Sequence, residues 1–128
     1  EGSFLATDGG FVHERHLRTR AATATDWAAV GERTLGVPYV WGGRGGLGLD
    51  CSGLVQTALA ACGIAAPRDT DQQAREVGEA LPDTADGERL IHANAHGMAV
   101  TIEPLADVIA RLSDQHEQPV TDRRRISK

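Results

Sequence analysis

The sequence predicts an α+β domain in which N-terminal helices pack on a small antiparallel sheet. First, a glycine-dense loop runs straight into a stretch whose apolar residues take helical spacing, with Leu54, Ala58 and Cys62 on one line and Val55 and Leu59 beside it. Second, residues 89–93 and 98–102 read as two strands joined by a turn over 94–97. Third, the composition suits one modest core, since the chain has 128 residues and 41% are hydrophobic. Thirteen basic against 18 acidic side chains give a formal net charge of −5, which argues against nucleic acid or an anionic membrane as the main partner. No apolar run approaches the roughly 18 residues of a membrane span. Two cysteines make no disulfide framework, and no cluster has metal-ligand spacing, so no cofactor is expected.

In chain order, residues 1–20 carry Phe4, Leu5, a Gly9-Gly10 turn, then Phe11, Val12 and Leu17. This is a short hairpin or a strand with an extended tail, too small to hold a core alone. His13 and His16 stand among Glu14 and Arg15 and read as solvated surface. No basic-then-apolar leader opens the chain, and the start at Glu1 reads as the interior of a longer one. Residues 21–25 form a small-residue linker. Thr25 is the expected N-cap of a helix from Asp26 to about Leu35, with Trp27, Val30 and Thr34 on one side and Gly36 as its stop. The glycine loop then places Cys51 in the first turn of the second helix, which Gly63 ends. After Pro67, Thr70 and Gln73 have the spacing of a capping box for a short third helix ending near Gly78. Beyond the strand pair, Pro104 is expected at the first position of a helix buried on Leu105, Val108, Ile109 and Leu112. Residues 119–127 suit an edge strand with three arginines on a solvated side, and His116 lies in a polar loop.

Cys51 is the candidate for chemistry. In the first turn of a helix, unpaired N–H groups and the positive end of the dipole stabilise a thiolate, which is the nucleophilic form. Glycines at 42, 43, 45, 46 and 48 let the backbone pass close to a ligand. A small buried hydrophobe satisfies the same spacing equally well, and Cys62, on the apolar line, is read as that. The run LGVPYVWGGRGGLGLDCSGLVQ, residues 35–56, resembles the nucleophile segment of the NlpC/P60 cysteine peptidases, papain-like hydrolases that cut cell-wall peptides. The likeness is specific, because Pro-Tyr-x-Trp-Gly-Gly and Asp-Cys-Ser-Gly occur together at the family's separation. It continues in PRDTDQQ, residues 67–73, which resembles the family's Pro-Arg-x-Ser/Thr-x-x-Gln segment. DGGFVHERHLRT further resembles the last strand of the SH3-like domain that often precedes such peptidases. The expected division is therefore a remnant of that domain or an extended arm over 1–20 and a peptidase domain over 21–128.

The resemblance implies a papain-like fold and acyl transfer through a thioester on Cys51. The implied substrate and partner is a peptidoglycan stem peptide or muropeptide, cut between γ-D-glutamate and a diamino acid. Tyr39 matches the family's tyrosine near the nucleophile, so its hydroxyl and the Cys51 N–H would form the oxyanion hole. Asp50 and Ser52 match positions that hold the substrate's terminal ammonium, and a desolvated ammonium needs such a paired charge. Trp41, Arg68 and His96 complete the substrate-binding candidates; a solvated arginine is the plainer reading of Arg68. His92 matches the polar third residue that orients the catalytic histidine. On burial tendencies alone it reads as a hydrogen-bonded core histidine. The family would also place a Gly-Asp-Leu strand and a His-Val-Gly-Ile-like strand with the catalytic histidine after the third helix. Here residues 81–88 lead directly to 89–93 with neither. A segment is thus expected to be missing near 82–88, and part of the central sheet with it. Two alternatives stay open: a pseudoenzyme that binds stem peptides without cutting them, and an amidase or acyltransferase of the same superfamily.

Overall fold

The computed structural model describes residues 2–17, 19, 22–45, 47–80, 88–120 and 124–126. Of the stretch expected to be interrupted, 82–87 lies outside the described residues, as do 121–123 and 127–128 of the expected edge strand. Strands β1 (Phe4–Thr7) and β2 (Gly10–His13) form an antiparallel hairpin, with Phe4 opposite His13. Phe4, Leu5 and Phe11 are exposed, so this hairpin contributes no core.

Helix α1 (Trp27–Glu32) corrects two expectations. Its N-cap is Asp26, not Thr25: Asp26 Oδ1 accepts from the amides of Ala28 at 2.9 Å and Ala29 at 3.1 Å. A carboxylate satisfies both amides and suits the positive helix end, so it displaces the neighbouring threonine. The helix faces the core through buried Gly31, while Trp27 is exposed. A Cβ on Gly31 would lie 3.8 Å from Ile91 Cγ2, an ordinary contact, and no apolar stripe marks this face. Beyond the helix, Gly36 N donates to Val100 O at 3.0 Å.

The short hairpin of β3 (Arg44–Gly45) and β4 (Gly48–Leu49) leads into α2 (Cys51–Ala61). Leu54, Ala58 and Leu59 are buried on α2, Cys62 caps it at 2% exposure, and Gly63 ends it with φ +74°. Periodicity anticipated this face; Val55 marks its exposed edge. Helix α3 (Thr70–Glu76) has Asp69 at its N-cap, and Thr70 is its first residue. The capping box does not form, because Gln73 Nε2 donates instead to the carbonyls of Ser52 at 3.0 Å and Pro67 at 2.8 Å. Those carbonyls would otherwise go unpaired in a packed region, so the tertiary partners win over the local one.

Strand β5 (Glu79–Ala80) precedes the main hairpin of β6 (Arg89–Asn94) and β7 (Ala99–Pro104), in which Ile91 faces Ile102 and Ala93 faces Val100. Pro104 closes β7 and stands at the N-cap of α4 (Leu105–Ser113), one position before the expected one. Its ψ of 132° is extended rather than helical, because it is still paired with Arg89 in the ladder. Strand β8 (Arg124–Arg125) pairs with β5. Arg124 is not on a solvated edge: it donates to the carbonyls of Val77 at 2.6 Å, Ala74 at 2.9 Å and Gly78 at 2.7 Å. The last carbonyls of a helix lack partners along the chain, and a guanidinium fork answers several at once. Leu49, Leu54, Ala93 and Val100 make the core cluster, with Val37, Tyr39 and Ile91 against it. The architecture is mixed helix and strand, and each sheet among the described residues has two strands. No helix among them is long and apolar enough to cross a membrane.

Candidate active site

The turn from β4 into α2 is built around one carboxylate. Asp50 Oδ1 accepts from Gly53 N at 2.7 Å, capping α2, and Oδ2 accepts from Gly42 N at 3.0 Å, holding the glycine loop against the helix start. Arg68 grips the same group with both terminal nitrogens, Nη1 to Oδ1 at 3.0 Å and Nη2 to Oδ2 at 2.5 Å. Its Nη1 also donates to Ser52 Oγ at 2.7 Å. Asp50 is thereby held below the usual carboxylate range, first by the Arg68 hydrogen bond, against which burial acts, with the Gly53 and Gly42 amides assisting. Arg68 is correspondingly raised, chiefly by Asp50, with the charge of Cys51 among the further causes. Arg68 is half-buried in the site, not the solvated arginine that was the plainer expectation.

Cys51 follows this bracket as the first residue of α2 and is exposed. Its amide is one of the first-turn N–H groups without an intrahelical acceptor, and the 11-residue helix puts its positive end at the sulfur. Sγ lies 3.6 Å from Thr70 Oγ1. Thr70 is the site residue that sequence reasoning misassigned: it was placed in a capping box, although it occupies the Ser/Thr position of the Pro67–Gln73 segment that carried the family likeness. With Gln73 tied to Ser52 O, α3 is fastened directly to the nucleophile turn.

The remaining candidates are distributed around this centre. Tyr39 is half-buried against the core cluster, its amide bonded to Met98 O at 2.9 Å and its backbone bridged to Leu49. Ser52 is buried, Trp41 is 89% exposed, and His96 is exposed in the turn between β6 and β7. His92 has a partner of its own: its Nε2 lies 2.6 Å from Glu103 Oε1, on the strand face opposite Ile91 and Ala93. The side-chain geometry therefore joins Cys51 to Thr70, and joins Asp50, Ser52 and Arg68 to one another, while His92 is joined to Glu103. Glu103 and Arg111, which complete that second cluster, had no signal in the sequence. No group of three His, Cys, Asp or Glu among the described residues is placed to hold a metal.

Comparison with known proteins meets this geometry at the same residues. Residues 36–96, the stretch that contains the glycine loop, α2 and α3, match the model of the NlpC/P60 family. The gamma-D-glutamyl-L-lysine dipeptidyl-peptidase of Bacillus subtilis is 41% identical over 76 residues, which are 59% of this chain and 26% of that protein. The chain thus spans about a quarter of the length of that relative. Among solved structures, an NlpC/P60 family protein from Bacillus cereus superposes with a TM-score of 0.63 at 25% identity, over 80% of this chain and 45% of the other. The peptidoglycan hydrolase RipB from Mycobacterium tuberculosis superposes with a TM-score of 0.54 at 25% identity, over 62% of this chain and 56% of that one.

Proposed function

Because residues 36–96 are NlpC/P60 sequence and the fold around them is that of NlpC/P60 proteins, we propose that this chain is part of a cysteine peptidase that cuts peptidoglycan stem peptides. The scissile bond is the one between γ-D-glutamate and a diamino acid, the bond class named in the Bacillus relative. The observation that carries the reading is the exposed sulfur of Cys51 at the tip of α2, beside the guanidinium of Arg68 and 3.6 Å from a hydroxyl. There the sulfur is reachable, at the positive end of a helix.

The Cys51 thiolate attacks the peptide carbonyl, and the amine leaves on taking a proton from the histidine of the His-Val-Gly-Ile-like segment expected near 82–88; the same imidazole then takes a proton from the water that releases the acyl group from the thioester. The Cys51 N–H and the Tyr39 hydroxyl receive the oxyanion. Asp50 and Ser52 meet the substrate's ammonium. Because Asp50 is already shared with Arg68, an incoming ammonium enters a site whose charge is partly balanced. Trp41 and His96 line the approach. His92 serves as the third group that orients the catalytic imidazole.

Hydrolysis of an L-Ala-γ-D-Glu-diamino acid tripeptide tests the proposal. Cys51→Ala is expected to lower kcat at least about 10³-fold, and Cys51 is expected to react with iodoacetamide far faster than buried Cys62. Full hydrolysis by Cys51→Ala rejects the mechanism. A second reading, binding of stem peptides without cleavage, is favoured by one observation: the side-chain bond of Cys51 goes to Thr70 and that of His92 to Glu103. Tight tripeptide binding with equal, slow alkylation of the two cysteines would select it.

A further inference from the structure

His92 belongs to a half-buried chain of charges on the side of the hairpin away from the core cluster. Its Nε2 meets Glu103 Oε1 at 2.6 Å. Arg111, from α4, donates through Nη1 to Oε2 at 3.1 Å and through Nη2 to Oε1 at 2.9 Å. The three side chains are only 18%, 23% and 28% exposed. Strand register explains the meeting: His92 faces Thr101, and Glu103 lies two residues along β7 on the same face, within diagonal reach. The two-pronged grip of Arg111 fixes the plane of the carboxylate, and Asp107, one turn earlier on α4, balances part of the guanidinium charge.

We propose that Glu103, held by Arg111, is a positioning residue that keeps a hydrogen on His92 Nε2, so that the ring in its neutral form presents Nδ1 as an acceptor. The role given to that acceptor rests on the reading of His92 as the group that orients the catalytic imidazole. The argument is one of donor and acceptor capacity. Glu103 is held down to about 2, first by the hydrogen bonds of Arg111 and then by that of His92, so its carboxylate is ionised at any working pH. An ionised carboxylate only accepts. Of the two ring nitrogens, the one that faces it must therefore carry a hydrogen, so a neutral ring has its lone pair on Nδ1. A group that orients a catalytic imidazole must accept that imidazole's N–H. His92 can do so only through the nitrogen with the lone pair, so Glu103 selects the tautomer and Arg111 sets the angle.

Nitrogen-15 chemical shifts of the His92 imidazole, measured on the whole chain at pH 8, read the tautomer directly. The wild type is expected to show a protonated Nε2 and a bare Nδ1. Glu103→Gln, whose amide both donates and accepts, is expected to show a mixture of tautomers, with tripeptide hydrolysis reduced about tenfold in kcat and little changed in KM. Glu103→Asp is expected to restore part of both. If Glu103→Gln does not fold, Arg111→Lys keeps the charge and loses the fork; it is expected to keep the hydrogen on Nε2 while lowering kcat, and a shifted tautomer there overturns the division of roles. A bare Nε2 in the wild type, or an unaltered tautomer in Glu103→Gln, overturns the proposal. A wild type that shows the expected shifts but never cuts the tripeptide overturns the hydrolase reading and leaves the tautomer lock standing, so the two failures are distinguishable.

Discussion

Gly53 illustrates how little space the turn into α2 allows. A Cβ at this position would fall inside contact distance of the Gly43 carbonyl oxygen and 2.9 Å from Asp50 Oδ1, the atom that caps α2. The two loops therefore meet backbone to backbone, which is why the Asp-Cys-Ser-Gly run needs its glycine. Gly53→Ala must push the glycine loop away or pull Asp50 off its amide, and either movement costs about 1–3 kcal/mol. A thermal melt is expected to fall by several degrees for a chain of this size, and alkylation of Cys51 to change with it. An unchanged melt with unchanged Cys51 reactivity would show that the loop yields freely. At this scale the sequence was legible where a residue acts through its immediate neighbours. Asp50, Cys51 and Ser52 stand where the motif placed them. Arg68 and Thr70 were harder to read, since their partners lie 18 and 19 residues away and are chosen by the packing of α3, not by spacing.

Elements were legible to the extent that their apolar pattern dictated their packing. Helix α2 is the clear case: Leu54, Ala58 and Leu59 are buried as the periodicity required. Helix α1 defeated the same logic because its buried residue is Gly31, and no hydrophobic stripe marks such a face. The hairpin of β6 and β7 was read correctly as two strands, but what stands on its outer face was not, because His92, Glu103 and Arg111 come from three elements. That cluster carries a pH dependence with a definite sign. Glu103 is depressed from an ordinary 4.5 to about 2, so the folded state favours its ionised form. The stabilisation is fully present above about 4.5 and is lost as the pH falls toward about 2. Because the group is partly solvated, about 1 kcal/mol is the reasonable size. Thermal melts between pH 6 and 2 should therefore fall more steeply for the wild type than for Glu103→Gln. Parallel curves would show that the pair contributes nothing to folding.

At the scale of the molecule, the C-terminal strand reaches back to the middle of the chain, behind Cys51 and α3. Arg124 reaches back 46 to 50 residues to the carbonyls of Ala74, Val77 and Gly78, and β8 pairs with β5 just beyond them. This clasp closes the C-terminal end of α3, whose N-terminal residue Thr70 touches Cys51 and whose Gln73 holds Ser52 O. Nothing in the local sequence could announce it, because the pairing of a late arginine with an early helix is a product of chain topology. Its consequence is mechanical: α3 has seven residues, too few to be stable as a helix alone, and depends on its two fastened ends. Arg124→Ala removes three donors and leaves three carbonyls without their partner, which is expected to cost about 1–3 kcal/mol locally. Amide hydrogen exchange over 74–78 should then quicken by about tenfold or more, while the amides of β6 and β7 keep their protection. Alkylation of Cys51 should change along with α3, since the hydroxyl that faces its sulfur is carried on that helix. Exchange that quickens uniformly through the core would mean that Arg124 supports the fold as a whole. Exchange that does not change at all would mean that α3 is held by Gln73 and its neighbours without the clasp.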